Sequence, residues 1–514
     1  MATPTSALRR RPSGLTAIAA AITAVLVVPL GAVLVQAVAA GSAQARRLAR
    51  RPILPELATH TVQLAVLVSV GCAVVGVGSA WCVERTDLVG RAVWRVLLVL
   101  PLAVPEFVAG FGWVSLFPAV HGLWGAALVM TFSLYPWVFL PVAAGLRNAD
   151  GGADDVARSL GLGPLRRFTR VTLPTIRLPL AGGILIVGLY LLAEYGAFAA
   201  LRFPTFATAI FREYSLSFNA GAASLLTLAL CTLGLAFLAA EYVVLGRTRS
   251  IRASAAATTP AAPMPLGALA PVVAIGLLGV VALGLGVPIW SIVTWAVRDR
   301  ATTLPPGSIV AATGRSLWLG AIAAMITTSL ALPVALMTVR HPGRLAQVIE
   351  RSIYLVRALP GVAVGLTFVT VAVHHVRIVY QSTLLLEAAY VVLFFPLALV
   401  AVRSAIVRVP PGVEDVARSL GLRSHQVLLR VTGPLIAPGL GAALTLVWLS
   451  ATTELTATLL LRPTGLATLA TRYWGYTSGL AYSAAAPYAA VMILVSAIPT
   501  ALLVRLGTAQ PAGR

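Results

Sequence analysis

Apolar runs of about 20 residues, each long enough to cross a bilayer core, follow one another down most of this 514-residue chain. In lipid only structures that satisfy every backbone N–H and C=O internally persist, and long runs without strict alternation satisfy them as helices. The runs fall at residues 15–40, 61–83, 93–117, 122–146, 181–201 and 220–245. Six more fall at 269–297, 314–338, 353–373, 383–402, 437–461 and 486–506. The expected fold is an all-α integral membrane protein with twelve transmembrane helices. Charge content agrees: 11% of residues are charged, against about 25% in soluble domains. Pro101, Pro105, Pro136, Pro333, Pro360 and Pro396 lie inside the runs and are expected to kink some of them.

The chain is also a tandem duplication. The octapeptide DVARSLGL occurs at Asp155–Leu162 and again at Asp415–Leu422, an offset of 260. Arg-Val-Thr, one residue and Pro follow at the same distance in both copies, Arg170–Pro174 and Arg430–Pro434. At that offset Pro136 matches Pro396, Glu194 matches Glu454, Arg202 matches Arg462, and Ala207-Thr208 matches Ala467-Thr468. Earlier the offset is 255, pairing Arg85 with Arg340 and Pro105 with Pro360, so the second copy carries extra residues around His374–Gln381. Two homologous six-helix halves follow, residues 1–245 and 266–514, joined by a Ser-, Ala-, Thr- and Pro-rich linker at 246–265. Arg9–Arg11 before the first run has the look of a signal peptide. The run is about 26 residues, however, longer than a signal core, and its repeat partner lies mid-chain. A retained first span is expected.

A net charge of +22 raises the question of nucleic acid. The Arg residues do not gather on one face, as that function requires, but sit in short loops between spans. About 26 of them fall on the side of the two motif loops, which the positive-inside rule makes cytoplasmic, with both termini. Arg46, Arg47, Arg50 and Arg51 oppose the rule on the other side. Their place suggests a docking surface or merely an exception in topology. The three cysteines lie in or at the ends of apolar runs and read as small core residues.

The motif loops, 147–180 and 403–436, are too long for simple turns. Asp154 or Asp155, and Glu414 or Asp415, are placed to cap a short helix. Val156 and Leu160, like Val416 and Leu420, recur at i and i+4 as an apolar stripe. Gly161 and Gly421 suit the left-handed residue that ends such a helix. A second helix is expected from Pro164, and after Ser424 in the other copy. An amphipathic loop on lipid headgroups needs only composition; two copies with identical residues fit a surface that docks particular side chains.

Read as a pattern, Asp155-Val156-Ala157, Gly161 and Val171-Thr172-Leu173-Pro174 resemble the EAA loop of binding-protein-dependent ABC importer permeases. The second copy fits through Asp415, Val416, Ala417, Gly421, Val431 and Pro434. Both copies have Asp for Glu and Val for the first Ala, and Gly433 replaces the expected Leu. The resemblance implies that each loop seats a coupling helix on a separate ATPase subunit, two copies of one partner. It also implies that an extracytoplasmic binding protein delivers the substrate across a bacterial plasma membrane. A P-loop needs a Lys, and this chain has none. The chain is therefore not expected to be an enzyme: ATP and Mg would be bound by the partner, with no cofactor or metal on this chain.

Glu194 and Glu454 occupy equivalent places near the ends of the fifth and eleventh runs. Carboxylates there are costly and face a cavity or a partner. They read either as lining a translocation pathway, with Arg202 and Arg462 beside them, or as packed and capped by a hydroxyl or Arg such as Thr452 or Arg462. Glu106 and Glu387 have no counterpart in the other half. The run from Glu454 to Pro463 and the segment Leu466–Arg472 resemble iron(III) ABC permeases, as do Glu194–Ala197, Arg202-Phe203 and Thr205–Ile210 in the first half. Iron(III) is the substrate this implies. Thiamine permeases share the fused layout, and phosphonate or polyamine importers share the loops. A secondary transporter of two six-span repeats is the alternative from another class: Glu84–Arg95 faintly resembles its basic loop, but it leaves the duplicated loops without a role.

Overall fold

The computed structural model describes residues 13–147, 149, 151–246, 263–298, 306–357 and 359–508. Arg9–Arg11 and residues 247–262 of the linker lie outside the described residues. Among the described residues the structure is helical, with one isolated bridge between Thr86 and Met264. Among the described residues nine helices are long and apolar enough to cross a membrane, and up to twelve spans result if each of three bent pairs is one span.

The bent pairs fall on three expected spans. Arg91–Ala103 and Glu106–Leu116 meet at 88°, Gly122–Leu134 and Pro136–Arg147 at 41°, Arg344–Val356 and Gly361–His375 at 97°. The cause is local. Pro105 and Pro360 are extended, with ψ 142° and 157°, and Val104 before the first is driven out of the helical region, as a residue preceding proline is. Pro396 and Pro333 remain inside continuous helices, Thr383–Arg408 and Pro306–Arg340, where bonding around the ring is made up locally. The expected runs at 181–201 and 437–461 are corrected too. Their helices stop at Ala193 and Thr452, and short helices, Gly196–Ala200 and Thr456–Leu461, follow the breaks.

Packing groups the helices across the repeat. One compact unit comprises residues 1–36 and 311–468, the other residues 37–310 and 469–514. In the first, Thr383–Arg408 lies along Gly433–Thr452, and Gly361–His375 packs on Thr456–Leu461. In the second, Ile53–Arg85 packs on Pro136–Arg147, and Tyr482–Thr508 on Val287–Arg298. Tyr195 stacks near Phe211 and Trp474, at 4.3 and 5.3 Å between ring centres, and Phe107 and Phe111 meet Tyr473 in the same cluster. Buried ion pairs close the helix ends. Glu84, with 2% of its side chain exposed, takes Arg95 and Arg147, each at 2.7 Å. The segment Glu84–Arg95 thus ties three helices together.

Candidate functional site

The two motif loops fold alike, element for element. Helices Gly151–Ser159 and Pro411–Ser419, then Pro164–Arg167 and Ser424–Val427, then wide turns Phe168–Thr172 and Leu428–Thr432, all repeat at the offset of 260. Gly161 and Gly421 have φ of +72° and +87°, a conformation that favours glycine. Around them the N–H of Leu162 bonds Ala157 O and that of Gly161 bonds Arg158 O; Leu422 and Gly421 repeat this on Ala417 and Arg418. This paired closure ends each helix and satisfies two terminal carbonyls. Pro174 and Pro434 sit near the start of the spans that leave each loop. The preceding turn widens there, with the N–H of Leu173 and Gly433 reaching back five residues to Phe168 and Leu428.

The caps differ from expectation. Each first helix begins at Gly151 or Pro411, so Asp155 and Asp415 stand mid-helix rather than at the helix start. Asp415 instead pairs with Arg418 at 2.8 Å. In the other copy, the side chain of Asp154 lies outside what is described. Ser424 likewise opens its helix from inside; the N–H of Arg423 is held by the Gln426 side chain. Glu414 does lie in the first turn of its helix, but the partner of its side chain, Arg340, was not legible in the sequence. Glu414 is buried, and its Oε1 accepts from Arg340 Nε at 3.0 Å and Nη2 at 2.8 Å, and from Thr432 at 3.3 Å. Arg340 also donates to Val409 O. The match of Arg340 with Arg85 marked the position, but nothing local joined it to a residue 74 places away.

Each helix shows an apolar pair outward beside exposed charged residues, Asp155 and Arg158 in one copy and Asp415 and Arg418 in the other. Ala157 and Ala417 face inward at 4% and 5% exposure, whereas Val156, Leu160, Val416 and Leu420 are 59%, 73%, 60% and 78% exposed. Two large side chains one turn apart, standing free on a rigid helix, are unusual at an aqueous surface and suit a docking groove.

Glu194 and Glu454 stand at the two helix breaks. Each carboxylate accepts the backbone N–H in the first turn of the short helix beyond, Ala197 at 2.6 Å and Ala457 at 2.9 Å. Both are half-buried, and both therefore satisfy a donor that the break would otherwise strand. Opposite lies a close approach of backbones. A Cβ on Gly110 would stand 3.0 Å from Ala197 Cα, and one on Gly365, its repeat partner, 2.7 Å from Leu460 Cδ1. Arg202 and Arg462 are exposed at equivalent places, but Arg202 takes φ +54° while Arg462 is extended and reaches Leu466 O. Arg46, Arg47, Arg50 and Arg51 are exposed on and just past the helix Gly41–Ala49, which Gln44 anchors to Asn219 and Arg51 to Glu213. Among the described residues no three His, Cys, Asp or Glu converge as a metal site.

Paired loops of this form on a helical chain with spans of membrane length fit a membrane transport component. The chain belongs to the family of binding-protein-dependent transport system inner membrane components, which it matches at residues 73–250 and 317–509, once in each copy of the repeat. It is 33% identical over 498 residues to the Fe(3+)-transport system permease protein FbpB 2 of Haemophilus influenzae, covering 96% of this chain and 98% of that one. It is 29% identical over 170 residues to the sulfate transport system permease protein CysT of Synechococcus elongatus, 30% of this chain and 61% of the relative. It is 29% identical over 200 residues to the sulfate transport system permease protein CysW of Escherichia coli, 34% of this chain and 65% of that one. The chain is therefore an ABC permease and an integral inner-membrane protein. The secondary-transporter alternative falls with that membership.

Proposed function

We propose that this permease forms the transmembrane path of an ATP-driven importer of iron(III). Its Gly151–Ser159 and Pro411–Ser419 helices each seat in a groove on an ATPase subunit, two copies of which bind ATP and Mg. An extracytoplasmic binding protein hands over the cation, and both termini lie in the cytoplasm. The observation that carries the coupling role is the repeated apolar pair, Val156 with Leu160 and Val416 with Leu420, exposed on two helices of the same build. The iron reading is supported by end-to-end similarity to a relative named for Fe(3+) transport.

Substitution of Leu160 and Leu420 together by Asp tests the coupling. Both are exposed, so the fold is expected to stand while the partner is lost, as for central apolar anchors of an interface. The chain is purified from its own membranes with and without the change. A P-loop ATPase that accompanies the wild type and is absent from the variant is the expected result. An ATPase retained in full by the variant overturns the docking role. Reconstituted with that ATPase and its binding protein, the permease is expected to move iron(III) and leave thiamine behind; the reverse overturns the substrate.

A further inference from the structure

The two acids expected to line the pathway have their near oxygens engaged in capping, Glu194 on Ala197 and Glu454 on Ala457. A third acid behaves differently. Glu387, in the first turns of Thr383–Arg408, is 5% exposed, and neither of its carboxylate oxygens has a hydrogen-bond partner among the described residues. One turn on, the Tyr390 hydroxyl meets Thr458 Oγ1 at 2.7 Å, and Thr458 donates to Glu454 O at 2.8 Å. Tyr390 and Thr458 are 1% and 0% exposed, and the phenol lies within electrostatic reach of both Glu387 and Glu454. All four residues belong to one compact unit.

The duplication supplies a control for the simplest explanation, that this polar group serves packing. At the offset of 260 the first half has Ala127 for Glu387, Met130 for Tyr390 and Phe198 for Thr458. These are buried as deeply, at 8%, 0% and 0% exposure. The same place in the fold is therefore filled by apolar side chains in one copy and by a carboxyl, a phenol and a hydroxyl in the other. A buried carboxyl without a partner costs stability, and apolar groups of similar volume in its place are neutral or stabilising. Acids inside membrane spans that face no structural partner mark substrate pathways.

We propose that Glu387, with the Tyr390 hydroxyl one helical turn on, is a transient resting place for the hard trivalent cation as it crosses. The proposal rests on the iron reading above and names the residue that meets the cargo. Carboxylate and phenol oxygens suit a hard cation. A single carboxylate with one or two neutral oxygens holds it weakly enough to let go, as conduction requires. In the conformation described, the site is shut within its unit, so the cation reaches it only when the surrounding helices part.

The test uses the full permease with its ATPase and binding protein in vesicles, iron(III)-loaded binding protein outside, ATP within, and radioactive iron as readout. Glu387→Gln keeps the shape and needs no partner charge. Iron uptake is expected to fall by about five-fold or more, with ATP hydrolysis within about two-fold of wild type and an unchanged or raised melting temperature. Glu387→Asp, which keeps the charge, is expected to recover part of the uptake. Uptake by the Gln variant reduced less than about five-fold overturns the proposal. So does a lowered melting temperature in step with lost uptake, the mark of a structural role, or an Asp variant no better than Gln. If the wild type itself moves no iron, the iron reading fails and takes the proposal with it; if it does and the Gln variant matches it, the proposal alone fails.

Discussion

Replacing Arg340 by Met would release the helix Pro411–Ser419 from the helices it is clamped to. Arg340 holds Glu414 through two bonds to one oxygen and holds Val409 O through a third. The side chains of Arg340 and Glu414 are 9% and 6% exposed. Breaking a buried pair from one side costs about 3–5 kcal/mol, because the charge left behind is uncompensated. Here the loss falls at the low end, about 3 kcal/mol, since Thr432 remains on the same oxygen and the half-exposed Arg418 reaches the other at 3.4 Å. At about 1.4 kcal/mol per factor of ten, the helix would open on the order of 100-fold more often. Hydrogen exchange reads this directly. The amides from Val416 to Leu420 should exchange on the order of 100-fold faster, and those of Gly151–Ser159 should not change. Adding Glu414→Gln to Arg340→Met should restore most of the protection, as a neutral pair leaves no charge stranded. Exchange within about three-fold of wild type in the single variant would refute the clamp.

Two further outcomes follow from the helix breaks. Gly110→Ala brings a Cβ to 3.0 Å from the Ala197 backbone, whereas Gly365→Ala meets the Leu460 side chain, its Cδ1 at 2.7 Å and its Cβ at 3.2 Å; a side chain turns aside more readily than backbone, so the first should cost about 1–3 kcal/mol and the second less. Equal drops in melting temperature in detergent would contradict the geometry. Glu194→Ala and Glu454→Ala each strand a first-turn N–H and should cost about 1 kcal/mol, while the Gln variants keep an acceptor and most of the stability. Melting curves that fail to separate Ala from Gln would remove the capping role.

Much of this architecture was readable because the chain states it twice. Gly161 and Gly421, each preceded by Val-Ala-Arg-Ser-Leu, needed only local rules to be placed at the ends of short helices, and their positive φ bears that out. The exposed stripe of Val156, Leu160, Val416 and Leu420 was likewise a matter of spacing along one element. What could not be read was tertiary. Pro105 and Pro396 sit in equally apolar surroundings, yet the chain leaves the helix at one and continues through the other. The outcome depends on whether neighbouring groups make up the missing bond. Glu414 looked like a helix cap because its neighbours in sequence suggested one. Its true partner, Arg340, comes from another helix.

Repetition also shows where selection on a particular side chain departs from the needs of the fold. Glu194 and Glu454 are alike in both copies because both copies have the same break, and the same first-turn N–H to satisfy. Shared identity there follows from shared geometry and says little about cargo. The reverse holds at residues 127 and 387, where burial is shared and chemistry is not. An alanine fills the place in one half, so the backbone makes no demand for a carboxylate. A carboxyl with no hydrogen-bond partner among the described residues is then a cost the fold did not require, and acids of that kind in membrane spans mark substrate pathways. In a duplicated transporter, the positions that break the repeat while keeping its burial are therefore the first to examine for contact with the substrate.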